Sequence, residues 1–174
     1  MIQFDLVKKY EGQIDLLPSR STADSAGYDM VAARDYEIPP YDYYFTLPGD
    51  EVVLLTLSEI ADWTKANGTR PTLVSTGVKV YLEPGQYLKL VSRSSFPLKY
   101  LLLCANSEGI IDRDYADNPD NEGEIFFQMI NLSPFPIKIK RGEKICQGII
   151  CEYKVTDDDA ATGARIGGFG STGV

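Results

Sequence analysis

Histidine is missing altogether from this chain of 174 residues. Its absence excludes Ser-His-Asp and Cys-His nucleophile systems, zinc sites with a histidine ligand and histidine general bases. Any chemistry must therefore come from carboxylates, hydroxyls, Lys, Tyr, Cys or a metal ion held by oxygen atoms. Long apolar runs are missing as well: no stretch approaches the ~18 residues of a membrane-spanning helix, and the N-terminus has no signal-peptide core. We therefore expect a soluble, cytoplasmic protein with no membrane contact.

Cysteine is scarce and odd in number, with only Cys104, Cys146 and Cys151. Each of the three lies in an apolar run, and the last two do not have CxxC spacing. We therefore expect reduced and mostly buried thiols, as in a cytoplasmic protein.

Basic residues are outnumbered, with 17 Lys and Arg against 25 Asp and Glu, which gives a formal net charge of −8. An acidic surface repels a polyanion, so we do not expect duplex nucleic acid as a partner. An anionic substrate would need local help from Arg, a metal ion or backbone N–H groups.

The chain is rich in turn residues, with 15 Gly and 10 Pro against three Met and one Trp. Short apolar or alternating runs separated by turn signals predict strands at 2–6, 26–33, 50–57, 73–82, 86–92, 101–105, 110–111, 124–132, 137–139 and 145–155. Residues 35–48 are aromatic and Pro-rich, which indicates an extended loop or an edge strand. One helix is expected at 58–67, with Ser58 as its N-cap and Gly68 at its end. This pattern predicts an all-β barrel or sandwich over residues 1–155, followed by an acidic, Gly-rich tail at 156–174 that has little to bury.

A segment at 106–115, with the sequence NSEGIIDRDY, has the pattern of a β-hairpin that carries a carboxylate. Gly109 would let a flat ligand approach the main chain, and Asp112 could act as a general base. An ordinary hairpin end has the same pattern.

Two further segments could bind anions. Ser92–Ser95 combines a forked Arg donor with rotatable hydroxyls, although it could also be a polar turn before Pro97. The tail segment 167–173, GGFGSTG, offers backbone N–H groups, hydroxyls and an aromatic face, but it lacks the Lys of a phosphate-binding GxxxxGK[ST] loop and could be an unstructured tail. Residues 26–29 and 143–147 are almost uninformative by themselves.

Taken in this order, the five segments resemble the five motifs of the trimeric dUTPase family, over residues 26–173. Gly-Ile-Ile-Asp-x-x-Tyr followed by the terminal Gly-Gly-Phe-Gly-Ser-Thr-Gly is the most specific part. The resemblance implies a jelly-roll-like β-barrel, a homotrimer with active sites at subunit interfaces, and a C-terminal tail that closes over the nucleotide. It also implies hydrolysis of dUTP to dUMP and pyrophosphate, with Mg²⁺ on the triphosphate.

The resemblance also assigns roles to residues of the hairpin. Asp112 matches the general base that activates water for attack on the α-phosphorus, and Tyr115 matches the tyrosine packed against the deoxyribose, which leaves no room for a 2′-hydroxyl. The remaining residues match the part that reads uracil: Asn106, Gly109, Ile110 and Ile111.

The other motifs match phosphate and metal positions. Arg93 and Ser94, helped by Ser95, match a phosphate-binding set, as does Gln147, while Asp29 matches an aspartate that supports the water shell of Mg²⁺ indirectly. In the tail, Phe169 matches the aromatic residue that stacks on uracil, and the γ-phosphate clamp is matched by Gly170, Ser171 and Thr172. The metal would be held by phosphates and water, with no direct protein ligand.

This sequence departs from the family pattern at three places. Ala164 stands where the tail usually has Arg, so we assign Arg165, one residue later, to phosphate. About six residues are inserted within 116–122, between Tyr115 and Gly123, and the stretch at 50–72 is also long. Both insertions could be surface decoration, or elements that bind a regulatory partner or modify the trimer, as in phage-type relatives.

The sequence leaves other functions open. A dCTP deaminase shares the fold, but it needs a Glu where Gln128 stands, three residues before Asn131, and Gln cannot serve as a general base. A nucleotide-gated regulatory protein of the phage type would use the insertions for partner binding. A catalytically dead relative conflicts with the retention of Asp112, Tyr115, Arg93 and Phe169.

Overall fold

The structure is a computed structural model that describes residues 1–41, 57–67, 70–163, 165 and 168. Its strands, in chain order, are β1 (Gln3–Leu6), β2 (Tyr28–Val31), β3 (Tyr36–Ile38), β4 (Thr72–Ser75), β5 (Val78–Tyr81), β6 (Gln86–Ser92), β7 (Leu102–Cys104), β8 (Gly109–Asp112), β9 (Phe126–Asn131), β10 (Ile137–Ile139) and β11 (Lys144–Glu152). A single α-helix among the described residues, α1, covers Leu57–Asn67.

The strands form four antiparallel groups. The largest sheet has the order β2-β11-β6-β8, and a three-stranded sheet has the order β4-β9-β7. Two pairs, β1 with β5 and β10 with β3, complete the set. The strand β6 holds the largest sheet together, since it pairs along its whole length with β11 and over its first half with β8.

One apolar core joins these sheets. It exists because alternate residues of each strand point inward, so that every sheet has one apolar face to bury. Its fully buried large side chains come from both main sheets and include Met30, Val74, Leu88, Leu90, Phe127, Met129 and Ile145. In β9 the inward residues are buried, but the other face, which we expected to be largely buried as well, is only half-buried.

Most predicted elements agree with the structure except at their ends. The single strand predicted at 73–82 is wrong: it is divided into β4 and β5, which belong to different sheets, with Gly77 at a φ of 72° between them. The helix begins at Leu57, a residue that the sequence placed at the end of the strand 50–57. The rest of that predicted strand lies outside the described residues. Residues 35–48 contribute the strand β3, which pairs with β10, and β11 ends at Glu152, three residues before its predicted end.

All three cysteines are free thiols, with Cys104 and Cys146 buried and Cys151 half-buried. No helix in the described part of the chain is both long and apolar enough to cross a membrane.

Candidate active site

A cavity of about 290 Å³ opens beside the strand β8, and we call it the hairpin pocket. Its lining includes the predicted hairpin residues Asn106, Gly109, Ile110, Ile111, Asp112 and Tyr115, together with Cys104, Gln128 and Arg165. The turn before β8 is tight, since Ser107 has a φ of 63° and the Glu108 N–H donates to the Asn106 carbonyl at 2.7 Å. The Cys104 thiol contacts Asn106 Oδ1 at 3.0 Å.

Gly109 has a packing role in addition to the one that the sequence suggested. It pairs with Leu90 of β6, and a Cβ at this position would lie 3.1 Å from the Leu90 Cβ. The glycine therefore lets β8 lie close to the core side chain of its neighbour.

Asp112 ends β8 at the rim of the hairpin pocket, where half of its side chain is exposed. Its Oδ2 forms an ion pair with Arg165 Nη2, and Arg165 Nε also lies 2.8 Å from Asp114 Oδ1. The sequence assigned Arg165 to phosphate, whereas in the structure its guanidinium rests on two carboxylates. An exposed carboxylate at the rim can accept a proton from water, and a guanidinium beside it can bind an anion.

Tyr115 follows β8 in a short 3-10 turn, Arg113–Tyr115, and is 6% exposed. A tyrosine phenol is protonated at neutral pH even without a shift, and burial raises the pKa of this one further. A Cβ added to Gly168 would lie 2.9 Å from Cε2 of this ring, so Gly168 packs against the ring. Tyr115 therefore forms a rigid wall of the hairpin pocket.

A second group of polar residues surrounds Asp29 on β2, and we call it the cationic group: Arg93, Lys144, Gln147 and Ser21. Asp29 is 5% exposed. Its carboxylate accepts hydrogen bonds from Lys144 Nζ at 2.7 Å, Ser21 Oγ at 2.8 Å and Gln147 Nε2 at 3.2 Å. Arg93 Nε lies 3.5 Å from Asp29 Oδ1.

The charge of Asp29 is stabilised by these neighbours. Burial raises the pKa of Asp29, but the hydrogen bonds from Lys144, Ser21 and Gln147 outweigh it, so that the pKa is lowered overall. Asp29 therefore orients the side chains that surround it. Of the two serines beside Arg93, Ser94 is exposed and Ser95 is half-buried.

Asp112 and the cationic group lie at opposite ends of β6, whereas the inner part of the hairpin pocket reaches the end of β6 near Arg93, since the Cys104 N–H donates to Ser92 Oγ at 3.0 Å. Asp112 is paired with Tyr87 near the start of this strand, whereas Arg93 follows its last residue, Ser92. The six residue-to-residue steps from Tyr87 to Arg93 span about 20 Å at ~3.3 Å per residue. One chain thus brings together the predicted residues of each group but places Asp112 and Arg93 at the two ends of β6.

Four predicted site residues lie outside the described residues: Phe169, Gly170, Ser171 and Thr172. Sequence reasoning also missed three residues. Lys144 lies within the segment 143–147, where a cation three residues before the motif glutamine could have drawn attention. Ser21 and Asn121 gave no such signal, because their partners are set by the tertiary fold.

No cluster of three or more Cys, Asp or Glu side chains that could hold a metal ion occurs among the residues described.

Comparison with known proteins identifies the family. The dUTPase family model matches residues 55–173. The chain is 37% identical over 172 residues to the deoxyuridine 5'-triphosphate nucleotidohydrolase of Lactococcus lactis subsp. lactis, covering 98% of this chain and 96% of that protein. It is also similar to the crystal structure of dUTPase from Streptococcus mutans, with a TM-score of 0.70 and 35% identity, over 88% of this chain and 98% of that one.

A dUTPase from phage phi11 of S. aureus has the same fold, with a TM-score of 0.61 at 16% identity, over 92% of this chain and 96% of that one. The mostly β architecture is thus the jelly-roll-like barrel that the resemblance implied. With the family model spanning more than half of the sequence and a relative matched over nearly its full length, the chain belongs to the dUTPase family and is a nucleotidohydrolase that acts on dUTP.

Proposed function

We propose that Asp112 is the general base in this hydrolysis and activates a water molecule for attack on the α-phosphorus of dUTP, which releases dUMP and pyrophosphate. The observation that supports this role is its position: it is a half-exposed carboxylate at the rim of the hairpin pocket. A general base must reach both water and substrate, and such a position allows it.

The hairpin pocket would hold the nucleoside. Asn106 and the main chain of Gly109, Ile110 and Ile111 would read uracil, since fixed donors and acceptors distinguish uracil from cytosine and a tight pocket excludes the methyl group of thymine. Tyr115 would pack against the deoxyribose. Its ring is buried and lines the pocket, so a 2′-hydroxyl would meet it, and the clash would discriminate against UTP.

The cationic group would bind the triphosphate. Arg93 and Lys144 supply positive charge, and Ser94, Ser95 and Gln147 supply neutral donors, which together offset the acidity of the chain. Because this group lies about 20 Å along β6 from Asp112 at ~3.3 Å per residue, we propose that each active site combines the hairpin pocket of one subunit with the cationic group of another. A homotrimer, as in the family resemblance, would provide three such sites.

The residues around Asp29 favour Mg²⁺ held by phosphates and water over Mg²⁺ ligated by protein. The carboxylate oxygens of Asp29 already interact with Lys144, Ser21, Gln147 and Arg93, so Asp29 would support the water shell only indirectly, through the side chains that it orients. Mg²⁺ keeps several waters and prefers phosphate oxygens, and when bound to the triphosphate it would neutralise negative charge there. The dUTPase from phage phi11 was described with a coordinated structural Mg(II) ion.

Residues 156–174 would act as an arm that closes over the nucleotide. In this arm, Phe169 would stack on uracil, Arg165 would bind phosphate, and the γ-phosphate would be held by Gly170, Ser171 and Thr172. The contacts of Arg165 with Asp112 and of Gly168 with Tyr115 support this role, because they place two residues of the arm at the hairpin pocket.

The test is pyrophosphate release in the presence of Mg²⁺ from dUTP, dCTP, dTTP and UTP, for the wild-type protein and Asp112→Asn. We expect wild-type turnover of dUTP alone and a loss of about 10²–10⁴-fold in the variant, the usual contribution of a general base. Asp114→Asn is the matched control, since it removes the other carboxylate that contacts Arg165. Near-normal turnover by Asp112→Asn would refute the assignment, and ammonia release from dCTP would point to the deaminase instead.

A further inference from the structure

The inserted loop, residues 116–122, contacts the wall of the hairpin pocket and is more than surface decoration. We propose that Asn121 of this loop is a positioning residue: it fixes the hydroxyl end of the Tyr115 ring and thereby sets how strongly the pocket rejects a ribonucleotide. This inference rests on the proposed role of Tyr115 as the wall against the deoxyribose.

The tip of Tyr115 is held from two directions. Its hydroxyl donates to the Glu124 carbonyl at 3.0 Å, and Asn121 Nδ2 donates to the hydroxyl oxygen at 2.8 Å. A carbonyl can only accept, so the hydroxyl proton points to Glu124 and the oxygen accepts from Asn121. The hydroxyl is thus engaged as both donor and acceptor, and Tyr115 acts on a ligand through its ring.

The orientation of the Asn121 amide is itself determined. Its Oδ1 accepts from the Gly123 N–H at 3.0 Å and from Asn118 Nδ2 at 2.8 Å. Since a backbone N–H can only donate, the oxygen must lie on that side, which leaves Nδ2 facing Tyr115.

Asn118 connects the Asn121 side chain to the backbone of Tyr115. It is 5% exposed, and its Nδ2 also donates to the Tyr115 carbonyl at 2.8 Å. Its Oδ1 accepts from the N–H groups of Asp120 and Asn121 at 3.0 and 3.2 Å. The loop is therefore hydrogen-bonded to Tyr115 both at its backbone carbonyl and at its hydroxyl.

The loop is anchored to the barrel on its outer side. Asp117 binds Lys79 and accepts from the Tyr81 hydroxyl, both on β5. Glu122 Oε2 accepts from the Lys8 N–H at 2.7 Å. These contacts fix the loop to the barrel. The loop therefore restricts the movement of the Tyr115 ring.

The test measures kcat and KM for dUTP and UTP in the full chain, for the wild type, Asn121→Ala, Asn121→Asp, Tyr115→Phe and the double variant Asn121→Ala/Tyr115→Phe. Asn121→Asp keeps the shape but cannot donate to the hydroxyl. Asp120→Ala is the control, because this exposed residue is in the same loop and its backbone N–H, which the variant keeps, is what bonds Asn118. Where UTP turnover is too slow, its inhibition constant against dUTP replaces its KM.

We expect Asn121→Ala and Asn121→Asp each to lower the preference for dUTP over UTP by roughly two- to tenfold, the range for one lost hydrogen bond. Tyr115→Phe, which also loses the bond to the Glu124 carbonyl, should lower it at least as much. The variants should change the preference for dUTP over UTP more than they change kcat for dUTP, because they leave the proposed general base, Asp112, intact. The double variant should lose no more than Tyr115→Phe alone, because the Asn121 amide acts only through the Tyr115 hydroxyl, and Asp120→Ala should keep the wild-type ratio.

A wild-type preference in Asn121→Asp or in Tyr115→Phe would overturn the inference, as would additive losses in the double variant. If thermal unfolding shows that Asn121→Ala does not fold, the conservative variants Asn121→Asp and Tyr115→Phe still test the inference. A wild-type protein that does not hydrolyse dUTP would instead refute the proposed function, so the two failures are distinguishable.

Discussion

The guanidinium of Arg165 joins two acidic residues of the hairpin segment, Asp112 through Nη2 and Asp114 through Nε. It also lies 5.8 Å from the centroid of the Tyr115 ring. A cation from the C-terminal arm thus covers the rim of the hairpin pocket. A triphosphate must compete with these carboxylates for the same guanidinium.

Replacement of Arg165 by Gln tests whether this cation serves the substrate. We expect kcat/KM for dUTP to fall by about 10–100-fold, since a charge-assisted hydrogen bond contributes ~1.5–3 kcal/mol. Steady-state kinetics measure the effect. The control is Arg141→Gln, an arginine paired with Asp15 and not part of the pocket lining. Equal kcat/KM in both variants would show that Arg165 only neutralises the carboxylates.

Asp29 should make the stability of the protein depend on pH. Its pKa in the folded chain is below the ordinary value of 3.8, so its charge stabilises the fold above that value, and the contribution is lost as pH falls through the folded pKa. We expect the substitution Asp29→Asn to lower the free energy of unfolding at neutral pH and to flatten its decline between about pH 5 and pH 2.

Urea unfolding at several pH values measures this dependence. Asp24→Asn, at an exposed position before β2, is the control and should follow the wild-type curve. An Asp29→Asn curve that runs parallel to the wild type over the whole range would contradict the prediction.

Gly123 closes the inserted loop against Tyr115 and should tolerate no side chain. It has a φ of +80°, and a Cβ there would lie 2.6 Å from the Tyr115 carbonyl oxygen. Gly142 has a φ of +82° but no atom within 4 Å of the same position. Gly142→Ala should therefore cost only the backbone strain, about 1–2 kcal/mol, and Gly123→Ala a further ~1–3 kcal/mol for the clash. Chemical denaturation would measure both, and equal losses would rule out the clash.

The strands could be predicted where local signals agree. The turn Glu83–Gln86 is an example, because Pro and Gly at its two central positions are typical of a type II turn. Gly85 has the required positive φ of 80°, and the Gln86 N–H donates to the Glu83 carbonyl at 3.1 Å. The strand β6 then starts where the alternation of residues begins. Such signals are local in sequence, so they can be read without the fold.

The site could be predicted only in its parts. The hairpin residues are neighbours in sequence and remain so in space. In contrast, the contact between Lys144 and Asp29 joins residues 115 positions apart, and the residues 116–122 have no apolar pattern that could reveal their contact with Tyr115. Gly109 shows a further limit, because its packing against Leu90 becomes visible only when β6 and β8 are paired.

The length of β6 has a genetic consequence. When the two halves of a site come from different polypeptides, a copy defective in Asp112 still contributes a sound cationic group, and a copy defective in Arg93 still contributes a sound hairpin pocket. Two mutant alleles that are each inactive can then complement one another in mixed assemblies. By the same reasoning, each such defective copy disables one site in a mixed assembly with the wild type, so activity falls only in proportion to the share of defective copies.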